Sequence, residues 1–152
     1  MTRDTSLSLR PATQADFPAI RRLIHQVGIN PMDLKWQHFT IAVDAADRLV
    51  GCGQVKHHND GSLELASIAV QPQWRKQGVA RTIILHLLET HPRPLYLTCR
   101  GRLGPFYERF GFVDVTASAD LPPYFRRITR LVQVFQRTGL FHERMLVMKL
   151  NR

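Results

Sequence analysis

The stretch Val70-Gln71-Pro72-Gln73-Trp74-Arg75-Lys76-Gln77-Gly78-Val79-Ala80 runs from an apolar strand through a short loop into an amphipathic helix. The first backbone N–H groups of a helix have no partner inside the helix, and the helix dipole adds positive potential at the same end. Gly78 lets an anion approach the backbone, and Ala80 keeps the first turn narrow. This junction therefore predicts a binding site for phosphate groups.

Three basic residues, Arg75, Lys76 and Arg81, lie in or beside this loop. An ordinary solvated arginine is the alternative interpretation of Arg75, but its position in the loop favours contact with an anionic ligand. Two familiar phosphate-binding patterns do not fit, because one requires three glycines and the other ends in Gly-Lys-Ser or Gly-Lys-Thr.

Outward from the loop, the spacing of apolar residues predicts a strand, a helix, three strands, a helix, a strand, a short helix and a strand. A basic helical insertion near 121–140 and a final strand follow. This order predicts the α+β class, an α/β/α sandwich of one mixed sheet with helices on both faces. The predicted strands are 7–10, 39–43, 49–56, 63–70, 95–99, 112–115 and 145–150, and the helices are 17–27, a segment after Gly78, 106–110 and the insertion.

Composition favours one domain covering 1–152, since 44% apolar and 22% charged residues can form a compact core. No apolar run is long enough for a secretory signal or a membrane span, so we expect a cytoplasmic protein without a membrane partner. Cys52 and Cys99 lie in apolar strand-like runs and are expected to be buried thiols. The spacing of the seven histidines is unsuited to metal ligation, and no metal is expected.

Lysine and arginine exceed aspartate and glutamate by nine, 21 against 12. Such a surplus implies an anionic partner, which could be a nucleic acid, an acidic surface or a polyphosphate ligand. The aromatic residues do not form an alternating exposed set suited to base stacking, so nucleic acid is the less favoured partner.

The pattern Arg75-x-x-Gly78-x-Ala80 after an apolar strand resembles the pyrophosphate loop of the GCN5-related N-acetyltransferases, the GNAT family, whose pattern is Gln/Arg-x-x-Gly-x-Gly/Ala. The order of elements also matches, as do Glu64 ahead of Ile68-Ala69-Val70 and the segment Phe106-Tyr107-Glu108-Arg109-Phe110-Gly111-Phe112. The resemblance covers roughly residues 7 to 115 and the last strand. It implies a mostly antiparallel sheet and acetyl transfer from acetyl-CoA to a primary amine of a small molecule or a protein, by a monomer or homodimer.

The resemblance also implies how acetyl-CoA is held. In the family the pantetheine arm lies between two central strands that splay apart, here the strand ending at Val70 and the strand at 95–99. The backbone N–H groups of Ile68, Ala69 and Val70 would then bond the thioester carbonyl and stabilise the oxyanion. The pyrophosphate would lie on the loop formed by Arg75, Lys76, Gln77, Gly78, Val79, Ala80 and Arg81.

Tyr107 and Glu64 are the candidates for the two proton transfers. By the resemblance, Tyr107 protonates the departing CoA thiolate, and the alternative is an aromatic core residue with a satisfied hydroxyl. Glu64 would take a proton from the amine through water, and the alternative is a strand-end carboxylate that faces solvent. Arg100 and Arg102, which follow the second splayed strand, would face an acidic group of the acceptor or of CoA.

Two features depart from the family pattern. The insertion carries Arg126, Arg127, Arg130 and Arg137, and we hypothesise that it forms one wall of the acceptor site or a dimer contact. An asparagine that often follows the second splayed strand is absent from Thr98-Cys99-Arg100-Gly101. Two functions without catalysis stay open as alternatives, a basic nucleic-acid-associated module and an acyl-CoA-sensing domain.

Overall fold

A computed structural model describes residues 6–139 and 143–152 of the chain. The start at 1–5 and the end of the predicted insertion at Leu140 lie outside these residues. Within them, seven strands and four α-helices follow the predicted order. The strands are β1 Ser8–Pro11, β2 Phe39–Val43, β3 Leu49–His57, β4 Leu63–Val70, β5 Leu95–Arg100, β6 Val113–Asp114 and β7 Met145–Leu150, and the helices are α1 Phe17–Val27, α2 Val79–Thr90, α3 Gly104–Glu108 and α4 Pro123–Arg137.

The chain divides into two compact units. The first unit comprises Met1–Val55 and Leu65–His91, and the second comprises Lys56–Glu64 and Pro92–Arg152. Strands β3 and β4 contribute residues to both units, and the hydrogen-bonded strand order is β1-β2-β3-β4-β5-β7-β6. The assignment of 1–152 to a single domain stays a prediction.

In the first unit, α1 covers one face of the strands. Its apolar residues Ile20, Leu23 and Ile24 are buried in a cluster with inward-facing residues of the strands, among them Ile41. Strands β1 and β2 pair antiparallel, as do β2 and β3. The predicted end of α1 is confirmed, because Gly28 caps the helix in the left-handed conformation at φ 74°.

Helix α2 covers the opposite face of the first unit. Successive strand residues point to opposite faces, so Cys52 packs in the α1 cluster while its neighbours Gly51 and Gly53 face α2. A Cβ atom placed on Gly53 would lie 2.7 Å from Ile68 Cδ1 and 2.8 Å from Ile83 Cγ2. The backbone of β3 is therefore in direct contact with side chains of α2 and β4.

In the second unit, the beginning of β4 pairs in parallel with β5 through Glu64 and Tyr96. Strand β7 pairs antiparallel with β5 on one side and with β6 on the other. The sheet is thus mixed and mostly antiparallel, as predicted.

Helices α3 and α4 cover opposite faces of the second unit. A Cβ atom placed on Gly104 of α3 would lie 3.0 Å from Leu146 Cδ1, so Leu146 of β7 faces α3. The next residue of β7, Val147, packs with Phe125 of α4. Because neighbouring strand residues alternate between faces, we refer below to an α3 face and an α4 face of this unit. Helices on both faces confirm the predicted α/β/α class.

Both cysteines are free and buried, as predicted. No helix in the described part of the chain combines the length and the apolarity that a membrane span requires. Residues 6–139 and 143–152 also contain no group of three histidine, cysteine, aspartate or glutamate side chains placed to hold a metal ion.

Candidate active site

The loop between β4 and α2 has the geometry of an anion-binding turn. Gly78 precedes α2 with a φ of 79°, and Lys76 is also left-handed, with a φ of 61°. Among the described residues, the backbone N–H groups from Lys76 to Arg81 have no hydrogen-bond partner. A Cβ atom on Gly78 would meet nothing within 4 Å, so the space beside these amides is open. Unpaired amides beside open space suit a phosphate group.

Basic side chains increase the positive charge of this turn, and a side-chain hydrogen bond holds it in place. Arg75, Lys76 and Arg81 are all exposed and add positive charge beside the amides. The carbonyl oxygen of Gly78 accepts hydrogen bonds from Thr82 twice, from the backbone N–H at 3.0 Å and from Oγ1 at 2.9 Å. These two bonds fix Gly78 to the first turn of α2.

Ser67 lies within β4, next to the predicted carbonyl-binding residues 68–70. Its φ is 60°, a left-handed conformation that costs a residue other than glycine about 1–3 kcal/mol. The Ser67 hydroxyl accepts a hydrogen bond from Gln54 Nε2 at 2.8 Å. Gln54 is 0% exposed, and its Oε1 has no partner among the described residues. A buried acceptor without a partner is suited to a donor from a bound molecule.

Glu64 is buried, with only 4% of its surface exposed. The alternative expectation, a strand-end carboxylate that faces solvent, is therefore wrong. Its Oε1 lies 3.0 Å from His58 Nε2, and its Oε2 accepts a hydrogen bond from Thr98 Oγ1 at 3.3 Å. An ionised carboxylate only accepts hydrogen bonds, so this arrangement favours the His58 tautomer with hydrogen on Nε2.

His58 was not predicted as a site residue, and the structure gives it the closest contact with Glu64. Its ring stacks on Tyr124 at a centroid distance of 3.5 Å and an interplanar angle of 16°. Phe125 meets the same ring edge-on at 5.8 Å. One sequence signal was available, because the Asp60-Gly61 hairpin turn brings the residues before it close to those after it.

Tyr107 lies in α3 among aromatic rings. The ring centroids of Phe106 and Phe112 are 5.0 Å and 6.1 Å from that of Tyr107. Burial raises the pKa of Tyr107 to about 12, with a smaller contribution from Cys99. Burial likewise raises the pKa of the Cys99 thiol to about 11. The phenol is therefore held in its protonated, proton-donating form.

Glu64 and Tyr107 are associated with opposite faces of the second unit. Thr98, which donates to Glu64, and Cys99, whose thiol interacts electrostatically with Tyr107, are successive residues of β5. Successive strand side chains point to opposite faces, so the carboxylate belongs to the α4 face and the phenol to the α3 face. Among the described residues, no hydrogen bond joins the two side chains directly.

Arg100 and Arg102 both approach Glu143, at 3.4 Å and 3.9 Å. An acidic residue of the chain itself therefore partners the two arginines that were expected to face an acidic group of the acceptor or of CoA.

A comparison with protein families matches residues 35–114 to the family described as acetyltransferase (GNAT) domain. Among curated proteins, none matches the chain.

Several solved structures share the fold at low sequence identity. Rv2747 from Mycobacterium tuberculosis, in complex with CoA and NLQ, is 19% identical with a TM-score of 0.71, over 95% of this chain and 99% of that one. N-acetylglutamate synthase from Neisseria gonorrhoeae, complexed with coenzyme A and N-acetyl-glutamate, is 22% identical with a TM-score of 0.71, over 99% of this chain but 36% of that one. Escherichia coli ElaA is 17% identical with a TM-score of 0.69, over 96% and 100%. At such identities the likeness shows the fold alone.

Proposed function

The chain belongs to the GNAT acetyltransferase family, whose domain spans residues 35–114, and from this premise we propose that it transfers an acetyl group from acetyl-CoA to a primary amine. The acceptor is an amine of a small molecule or of a protein. The N-acetylglutamate synthase that shares the fold was solved with coenzyme A and N-acetyl-glutamate, which supports an acceptor of the amino-acid type.

One observation carries the proposal, the buried carboxylate of Glu64 held between His58 and Thr98. A carboxylate that is 4% exposed and fixed at both oxygens is positioned to receive a proton. A solvated surface carboxylate has no such fixed orientation.

The loop before α2 fits the diphosphate of the donor. Its unpaired amides from Lys76 to Arg81 and the open space beside Gly78 provide hydrogen-bond donors without a steric barrier. Arg75, Lys76 and Arg81 add charge for the phosphate oxygens.

The donor thioester lies at 68–70 in this proposal. Backbone N–H groups there would bond the thioester carbonyl and stabilise the negative charge that develops on its oxygen. The left-handed Ser67 immediately before this segment and the unpaired Gln54 Oε1 support a polar ligand at this part of β4.

In the proposed reaction, Glu64 on the α4 face acts as the base and Tyr107 on the α3 face acts as the acid. The acceptor ammonium gives one proton to Glu64, and the free amine forms a C–N bond with the acetyl carbon. As the C–S bond breaks, the sulfur takes a proton from Tyr107, and the second proton lost by nitrogen restores the phenol. One proton is released overall, and each acid or base step contributes about 10²–10⁴ in rate.

The test is thiol release from acetyl-CoA with a panel of primary amines, for the wild type and Glu64→Gln. We expect the variant to lose kcat by roughly 10²-fold or more while its KM for acetyl-CoA stays the same. Equal kcat values for the two proteins would remove Glu64 from the mechanism. If coenzyme A at low ionic strength does not protect the wild type against heat, the donor assignment itself is wrong.

A further inference from the structure

A cavity of about 120 Å³ lies in the second unit between α4 and the strands β5 and β7. Helix α4 contributes five of its lining residues, Ile128, Thr129, Val132, Gln133 and Gln136. Thr98 of β5, Thr116 and the segment from Arg144 to Val147 complete the lining.

Thr98 connects this cavity to the candidate base. Its side chain donates a hydrogen bond to Glu64 Oε2, and the same residue lines the cavity. A single side chain therefore separates the Glu64 carboxylate from the cavity. A second carboxylate, Asp114, is also one side chain away, because it accepts a hydrogen bond from the lining residue Thr116.

The polar groups of the cavity suit an anionic end of a ligand. None of the described residues that line it is acidic, and the neighbouring carboxylate of Asp114 already accepts hydrogen bonds from Thr116 and pairs with Arg144. Arg144 supplies a positive charge, and Gln133 and Gln136 supply amide donors. Arg144 Nη2 lies 3.7 Å from Asp114 Oδ2, a long ion pair that leaves other guanidinium donors for a carboxylate.

The volume limits what can enter. An engineered protein cavity of about 150 Å³ admits benzene, which has six heavy atoms. A cavity of about 120 Å³ takes a group of similar or smaller size. It has room for a carboxylate and a few further atoms, but not for a folded segment of another protein.

We propose that this cavity is the acceptor site and that it takes a small amine bearing a carboxylate, of the amino-acid class. The inference rests on the proposed function, because Glu64 must act as the base. The carboxylate contacts Arg144 and the glutamine amides, and the amine points towards Thr98 and Glu64. The insertion helix α4 thereby selects the acceptor.

The first experiment compares amino acids with the same amines lacking the carboxylate: glycine with methylamine, L-alanine with ethylamine and L-serine with ethanolamine. We expect kcat/KM to favour the amino acid of each pair by about 10²-fold or more. A site whose donors bond the carboxylate leaves those donors unpaired when the amine lacks it. Equal use of both members of every pair would overturn the inference and leave the proposed function intact.

The second experiment fills the cavity. Val132→Phe places a ring into the lining, and Val134→Phe makes the same change on an exposed part of α4, where Val134 is 56% exposed. We expect Val132→Phe to raise the KM of the amino acid by at least about tenfold without changing the KM of acetyl-CoA. Val134→Phe is expected to match the wild type, and an unchanged acceptor KM in Val132→Phe would contradict the proposal.

A binding measurement separates the two hypotheses if turnover is slow. Heat stability is measured with coenzyme A alone and with coenzyme A plus glycine, L-alanine or L-serine. We expect the amino acids to raise the Tm of the wild type further, and not that of Val132→Phe. Stabilisation by coenzyme A without any effect of these amino acids would overturn the acceptor site only. The absence of any effect of coenzyme A would overturn the proposed function.

Discussion

Asp60 Oδ2 accepts a hydrogen bond from the backbone N–H of Tyr124 at 2.9 Å, across 64 positions of the chain. Tyr124 lies in the first turn of α4, where backbone N–H groups have no partner inside the helix. The hairpin between β3 and β4 thus supplies an N-terminal cap to the insertion helix.

We expect Asp60→Ala to lower the free energy of unfolding by roughly 0.5–2 kcal/mol, because the capping bond to Tyr124 and the hydrogen bonds from Ser62 are lost. Chemical denaturation measures the change. Asp120→Ala, which removes an exposed carboxylate at a residue without a left-handed backbone, serves as the control. Equal stability of the two variants would show that neither the cap nor the bonds from Ser62 contribute to stability.

The same carboxylate makes stability depend on pH. Burial acts to raise the pKa of Asp60, but hydrogen bonds from Ser62 and Tyr124 act to lower it. The pKa in the folded protein is therefore below its ordinary value. Because the folded-state pKa lies below the unfolded value of about 3.9, the contribution is complete above that pH and is lost as the pH falls through the folded pKa. We expect the stability difference between wild type and Asp60→Asn to be constant near neutrality and to shrink below about pH 4.

His58 is predicted to position Glu64. We expect His58→Asn to lower kcat by about tenfold, with the KM of acetyl-CoA unchanged, because one oxygen of the carboxylate loses its partner. The decisive measurement repeats the substitution in Glu64→Gln. If His58 acts through Glu64, the second substitution has little further effect on kcat. A loss of the same size in both backgrounds would indicate a merely structural role, and the neighbouring exposed residue His57 provides the control His57→Asn.

Tyr107 is predicted to remain protonated across the working pH range. Its pKa of about 12 means that kcat should not decline between pH 8 and 10 through loss of this acid. Tyr107→Phe is expected to lower kcat by about 10²-fold at all these pH values. An alkaline limb in this range that disappears in Tyr107→Phe would contradict the prediction.

The raised pKa of Tyr107 also predicts that the protein loses stability at alkaline pH. The folded-state pKa of about 12 exceeds the ordinary value of 10, so the contribution of the neutral phenol is complete below pH 10. It is lost as the pH rises towards 12. We expect the wild type to lose more stability than Tyr107→Phe over this interval, as measured by denaturation at several pH values.

Gly78→Ala is predicted to weaken donor binding, and Gly28→Ala is its matched control. The two glycines have φ values of 79° and 74°, and a Cβ on either would meet nothing within 4 Å. Backbone strain should therefore cost both variants a similar free energy of unfolding, about 1 kcal/mol. Only at Gly78 does the methyl group enter the space proposed for the diphosphate. Equal affinity of both variants for coenzyme A would contradict the loop assignment.

Local patterns predicted most of the fold, because they depend on residues a few positions apart. The apolar spacing of α1 and the strands β2 to β5 were readable in this way, and the structure confirms them. Boundaries were less accurate. Helix α3 begins at Gly104 rather than 106, since Pro105 is favourable in a first turn.

The candidate site was predictable only in part. Glu64, Tyr107 and the loop before α2 follow from a family pattern, but the burial of Glu64 does not. That burial depends on Thr98 and His58, and Tyr124 in turn covers His58. Contacts of this kind join distant segments, and no local periodicity encodes them. The left-handed conformation of Ser67 could not be predicted from the sequence for the same reason.

The glycines of β3 also constrain the donor loop. Gly51 and Gly53 let α2 rest on the strand backbone, and α2 begins at the turn with unpaired amides. An added methyl group at position 53 must displace the side chains of Ile68 in β4 and Ile83 in α2. If the loop holds the donor as proposed, substitutions at these two buried positions should alter coenzyme affinity from the interior, so a library aimed at donor selectivity should include them as well as the loop.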